Sequence, residues 1–148
     1  MICLELYQQV KQINEADYTI NRLIYKHYKK YLASSITTQQ AVLLDIVYYA
    51  NKITVGEIAV EMNISSSAVS QLIAKMEKNQ FICRTINPDN RREIFITLDT
   101  KGWEYFDKQE HVERAVADRL FSKLTLSELN ELERIMKKLK EIAIKEFI

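Results

Sequence analysis

The chain has 148 residues, 47% hydrophobic and 28% charged, with two glycines and one proline, which suits one helix-rich globular domain and excludes a disordered chain. A net charge of +1 excludes a uniformly basic nucleic-acid coat, so phosphate contact must come from where charges sit rather than from their sum. No apolar run approaches the roughly 20 residues of a membrane span, the first residues lack a signal-peptide pattern, and two distant cysteines make no disulfide framework, so a cytoplasmic chain is expected.

From residue 2 to 31, apolar side chains recur near helical spacing at Ile2, Leu6, Val10, Ile13, Ile20, Leu23 and Ile24, with no Pro or Gly between them. One long amphipathic helix is predicted, ending around Leu32-Ala33-Ser34-Ser35. Thr37-Thr38-Gln39-Gln40 is a capping box, and it marks the start of a buried helix over Ile36 to Ala50. A second box, Thr54-Val55-Gly56-Glu57, opens a short helix to Met62. Asn63 tolerates the left-handed backbone that ends helices, and Ser65 caps the next helix, which runs to Asn79.

Leu44, Val47, Ile58, Val69, Ile73 and Met76 form the predicted core of this middle stretch. Phe81 to Leu98 gives two strands around Asn87-Pro88-Asp89-Asn90-Arg91-Arg92, with Ile94, Ile96 and Leu98 alternating on one face and Cys83 alternating with Phe81 as small apolar filler. Asp99 or Thr100 caps a helix to about Ser122. Thr125-Leu126-Ser127-Glu128 is a third box, opening a last helix with Leu129, Leu132, Met136, Leu139 and Ala143 on one stripe.

The fold class expected is mainly α with a small β-hairpin: a winged helix-turn-helix at residues 36–102, its helix-turn-helix at about 54–77 and its wing at about 81–98. Long terminal helices, at 1–35 and 103–148, each carry an apolar stripe that must be buried somewhere. Packing against a second copy of the chain is the economical solution, and a monomer with both helices folded over the winged part is the other.

The commonest task of this layout is to set one helix into a DNA major groove. On the helix from Ser65 to Asn79, Val69, Leu72, Ile73 and Met76 point inward. Ser66, Ser67, Ser70, Gln71 and Lys75 form the other face, with no acidic residue before Glu77. Gln suits adenine, Ser is adaptable, and Lys75 would serve a phosphate. Lys75, Lys78, Arg84, Arg91 and Arg92 fall on this helix and the hairpin, whereas Asp45, Glu57 and Glu61 sit on the preceding helices. At the hairpin tip, Arg91 and Arg92 are placed to project toward backbone or a narrow minor groove.

These stretches together resemble the MarR family of bacterial transcriptional regulators. Ile36-Thr37-Thr38-Gln39-Gln40-Ala41-Val42-Leu43-Leu44 is similar to the family's lead-in to the second helix. Thr54-Val55-Gly56-Glu57-Ile58-Ala59 and Ser65-Ser66-Ser67-Ala68-Val69-Ser70 are similar to its helix-turn-helix. Asn90-Arg91-Arg92, followed by Leu98-Asp99 and Gly102, resembles its wing signature, with Arg92 in the place of the wing arginine. Asn90 stands where Asp is usual, so the carboxylate that would brace the wing against Arg84 is lost or moved to Asp89. The resemblance implies a homodimer built from the first and last helices, a pseudo-palindromic double-stranded operator, and a small-molecule effector bound between the winged lobe and the dimer region.

Cys3-Leu4-Glu5-Leu6-Tyr7 has the letters of an oxidant-sensing stretch in some relatives. It lies too far upstream of Ile36, however, and only Glu5 is near where a positive charge would be needed. His27 and His111 have no Cys or carboxylate at zinc-ligand spacing, so no metal or cofactor is expected. The tyrosines Tyr18, Tyr25, Tyr28, Tyr31, Tyr48 and Tyr49 read as core or interface residues, with an aromatic-ligand pocket as the alternative. No nucleophile–base arrangement, phosphate-cradling Gly loop or paired acid–base carboxylates stand out, so an enzyme is not expected. Two other readings fit the layout. A winged-helix protein-interaction module without DNA binding would carry acidic or apolar residues on the recognition face. An effector-independent architectural DNA binder would show no ligand response.

Overall fold

The computed structural model describes residues 3–148, and Ile2 of the first apolar stripe lies outside them. In chain order the elements are α1 (Leu4–Leu32), α2 (Thr38–Ala50), β1 (Ile53–Thr54), α3 (Val55–Met62), α4 (Ser66–Lys78), β2 (Ile82–Ile86), β3 (Ile94–Leu98), α5 (Thr100–Arg119), a 3-10 turn (Phe121–Lys123) and α6 (Leu126–Phe147). They form two compact units. One runs from Lys29 to Gln109, and the other joins the residues up to Tyr28 with Glu110–Ile148.

In the unit from Lys29 to Gln109, local chemistry sets each helix start. Thr37 and Gln40 exchange hydrogen bonds, Thr37 N donating to Gln40 Oε1 at 2.9 Å and Gln40 N to Thr37 Oγ1 at 3.2 Å. Thr54 and Glu57 do the same at 2.8 and 3.2 Å. Donation from the Thr54 amide and hydroxyl holds the Glu57 carboxyl below its usual range. Ser65 Oγ accepts from Ala68 N at 3.1 Å and starts α4. Between α3 and α4, Asn63 adopts the left-handed conformation, φ 52° and ψ 45°, as the turn requires.

All six core residues predicted from the sequence, Leu44, Val47, Ile58, Val69, Ile73 and Met76, are completely buried, joined by Leu43, Ile82 and Ile96. Each such aliphatic side chain contributes about 1.5–3 kcal/mol relative to exposure. Two features differ from the sequence reading. The hairpin gains a third, two-residue strand, giving an antiparallel sheet of order β1-β3-β2 in which Ile53 pairs with Ile96. Phe81 is not in the strand. Its amide closes the end of α4 on Met76 O, at 3.0 Å, after Gln80 turns at φ 63°. Ile82 therefore opens β2 as the buried residue, and Cys83 points to the opposite face, its Sγ 3.2 Å from Thr97 Oγ1. Of the predicted stripe on β3, Ile96 and Leu98 are buried, while Ile94 near the tip is exposed.

The start of α5 fits this sheet closely. A Cβ placed on Gly102 would collide with the carbonyl oxygen of Phe81 and lie 3.0 Å from Leu98 Cδ2. That carbonyl already accepts from Asp99 N, so it is poorly placed to yield. Gly102→Ala should cost about 1–3 kcal/mol by overpacking. Gly56→Ala, at a helical site with nothing within 4 Å, should leave stability unchanged or raise it by up to about 1 kcal/mol. Thermal melts of the two variants test the contrast, and equal melting temperatures would refute it.

The other unit contains α1 up to Tyr28, the second half of α5, the 3-10 turn and α6. A capping box starts α6, with Thr125 N donating to Glu128 Oε2 at 2.8 Å and Glu128 N to Thr125 Oγ1 at 3.2 Å. The helix faces carry exposed ion pairs such as Lys137–Glu133 and the two-bond Arg134–Glu131 contact, which contribute little each. His27 Nε2 lies 2.7 Å from an Arg119 guanidinium nitrogen, at the edge of an apolar groove of about 380 Å³ lined by Ile20, Leu23, Ile24 and Val116. No described residue of α1 or α6 is buried. Tyr18 and Tyr25, read as core or interface, are exposed on α1. No helix among the described residues is long and apolar enough to cross a membrane.

Candidate nucleic-acid interface

The candidate interface is built by α4 and the β2–β3 hairpin. Burial of Val69, Ile73 and Met76 fixes how α4 is rotated, and the helical period then decides what faces out. Ser66, Ser67, Ser70, Gln71 and Lys75 are all exposed. The first two lie in the opening turn, where free backbone N–H groups and the helix dipole favour an anion. No acidic side chain interrupts the face before Glu77, and Lys75 and Lys78 occupy the last turn.

The hairpin tip is shaped by side chains that cap its own backbone. Asn87 N donates to Glu93 O at 2.9 Å, and Asn87 Nδ2 donates to Glu93 Oε2 at 2.6 Å. Asn87 Oδ1 accepts from Asp89 N, and Asn90 Oδ1 accepts from Arg92 N at 3.2 Å. These bonds leave the Arg91 and Arg92 side chains exposed at the tip. The wing's brace is thus Asn87 with Glu93, not a carboxylate at position 90 or 89. Asn90 serves because an amide oxygen accepts a backbone N–H as a carboxylate would.

Arg84 stands apart from the other candidates. Its Nε lies 3.2 Å from Glu77 Oε2, so the guanidinium is engaged by α4 rather than by a wing carboxylate. The sequence reading missed this partner, because the pair spans a turn between a helix and a strand and belongs to neither periodicity. Among the described residues, no cluster of three or more His, Cys, Asp or Glu could hold a metal ion.

A helix-turn-helix with a sheet-borne basic wing defines a winged-helix DNA-binding regulator. The family model for the MarR family matches residues 36–94. The chain is 28% identical over 137 residues to the HTH-type transcriptional regulator MgrA of Staphylococcus aureus, covering 93% of this chain and 86% of MgrA. Among solved structures, YusO from Bacillus subtilis superposes with a TM-score of 0.63 at 25% identity, over 93% of this chain and 96% of YusO. S. aureus MepR, solved bound to ethidium bromide, gives 0.69 at 20% identity, over 86% and 94%. Together these matches support a winged-helix transcriptional regulator of the MarR family.

Proposed function

We propose that two copies of the chain bind a pseudo-palindromic double-stranded operator, repress the promoter it overlaps, and release it in response to a small-molecule effector. The observation that carries this reading is the exposed, acid-free face from Ser66 to Lys75 beside a wing tip that presents Arg91 and Arg92. A protein-docking module would have acidic or apolar side chains there. Apolar side chains left at the surface of α1 and α6 support the homodimer. The effector reading is supported by a cleft of about 370 Å³ within the winged unit, where Ser34 and Ser35 share the lining with Phe81, Lys101, Tyr105 and Lys108.

The test is binding to the DNA upstream of the chain's own coding sequence across a salt series, with and without candidate effectors. Sequence-specific binding with a steep salt slope supports the reading, and no preference over random DNA removes it. Within α4 the two kinds of contact should separate. Gln71→Ala should cost about 1–3 kcal/mol at the preferred operator and relax discrimination there. Lys75→Ala should weaken all sequences alike and flatten the salt slope by about one unit. Equal, sequence-independent losses would mean that Gln71 does not specify.

A further inference from the structure

We propose that Glu77 and Arg84 form a strut that sets the angle of the wing to the recognition helix, so that Arg84 positions the wing instead of holding a phosphate. This rests on the DNA-binding reading above and deepens it.

Glu77 follows the buried Met76 in the last turn of α4, and Arg84 is the middle residue of β2. The 3.2 Å contact between Arg84 Nε and Glu77 Oε2 therefore ties helix to strand by side chains, beyond the short covalent turn through Asn79, Gln80 and Phe81. Arg84 pairs across the sheet with Ile96, and its neighbour Ile82 pairs with Leu98. Ile82 and Ile96 are wholly buried and hold the base of the hairpin to the core. Outward from Arg84 that burial falls away, through Thr85 with the half-buried Phe95 to Ile86 with Ile94, exposed at 61% and 38%. The strut thus joins helix to wing where the buried base of the hairpin gives way to its exposed end. A small change of angle there is magnified at Arg91 and Arg92.

Charge gives a second argument. Glu77 is the one acidic residue on α4, and a carboxylate on a helix that approaches a polyanion opposes binding by itself. Pairing with Arg84 neutralises it and gives it a use. The two assignments of Arg84 consequently predict opposite signs for the same substitution. If Arg84 holds phosphate and Glu77 merely competes for it, E77Q frees the guanidinium and removes a repulsive charge, and affinity rises. If the pair is a strut, E77Q lowers affinity despite removing that charge.

The experiment measures binding of the full chain to a duplex selected by the wild type from a randomised pool, for E77Q, R84Q and the double variant E77Q/R84Q. Hydrogen exchange of the free proteins is followed at the Asn87 and Glu93 amides. The expected result is about two- to five-fold weaker binding for each single variant, the range a half-exposed pair can supply. The double variant should be no worse than the weaker single, wing amides should exchange faster, and melting temperatures should stay close to the wild type. Tighter binding by E77Q, or additive losses in the double variant, overturns the proposal. Unchanged wing exchange in both singles overturns it even where DNA binding stands. A wild type that selects no duplex overturns the DNA-binding reading and this proposal together, whatever the wing amides do.

Discussion

Removing α6, from Thr125 to Ile148, should convert a dimer into monomer or insoluble protein. The helix is well made, with its own capping box, yet Leu126, Met136, Leu139 and Phe147 are all more than half exposed. The stripe on α1 is in the same state, with Leu4, Leu6, Ile13 and Leu23 more than half exposed. Apolar stripes left exposed to this extent mark an interface, and a stable one buries about 1,200–2,000 Å² in total. A milder variant, Leu139→Glu, would place a carboxylate in that apolar surface and should weaken the dimer by at least about 100-fold. Light scattering at micromolar concentration reads both results. A soluble, well-folded monomer at full length would remove the dimer, and with it the argument for two half-sites about 34 Å apart.

How much of this could be read from the sequence depended on the range of the interactions involved. The capping boxes at Thr37, Thr54 and Thr125 are contained within four residues each, so their letters sufficed. The rotation of α4 was legible because Val69, Ile73 and Met76 repeat at the helical period and leave the serines and Gln71 on the other side. What failed was non-local. A two-residue strand at Ile53–Thr54 has no alternation to detect, and it exists only because Ile96 offers a pairing edge. The start of β2 was placed one residue early because Gln80 takes a left-handed turn that no Gly or Asn announces. The family pattern points to a wing carboxylate as the partner of Arg84, whereas the partner, Glu77, stands on α4. Tyr18 and Tyr25 carry no information about what covers them, since apolar spacing on a helix marks a buried face without saying which chain buries it.

Arg92→Ala should weaken operator binding about ten-fold or more while leaving the dimer and the melting temperature nearly unchanged. The tip side chains are exposed, and the hairpin turn is held by Asn87, Asn90 and Glu93 through bonds that do not involve the Arg92 side chain. Its backbone N–H, which Asn90 Oδ1 accepts, survives the substitution, so the turn should keep its shape. A loss of binding in this variant would therefore report on contact with DNA and not on the fold. A guanidinium entering a narrow minor groove is held by the focused negative potential of that groove, and it sheds water more readily than an ammonium. Arg92→Lys should consequently recover only part of the loss, although the formal charge is restored. Flanking A·T-rich steps narrow the groove, so they should strengthen binding by the wild type and lose their influence in Arg92→Ala. Arg91 adjoins the same tip and is equally exposed, which makes Arg91→Ala the necessary comparison. Should Arg91→Ala fail to bind while Arg92→Ala behaves as wild type, the reading arm is Arg91 and the wing signature is displaced by one residue. Wild-type affinity in both variants would remove the wing from the DNA interface.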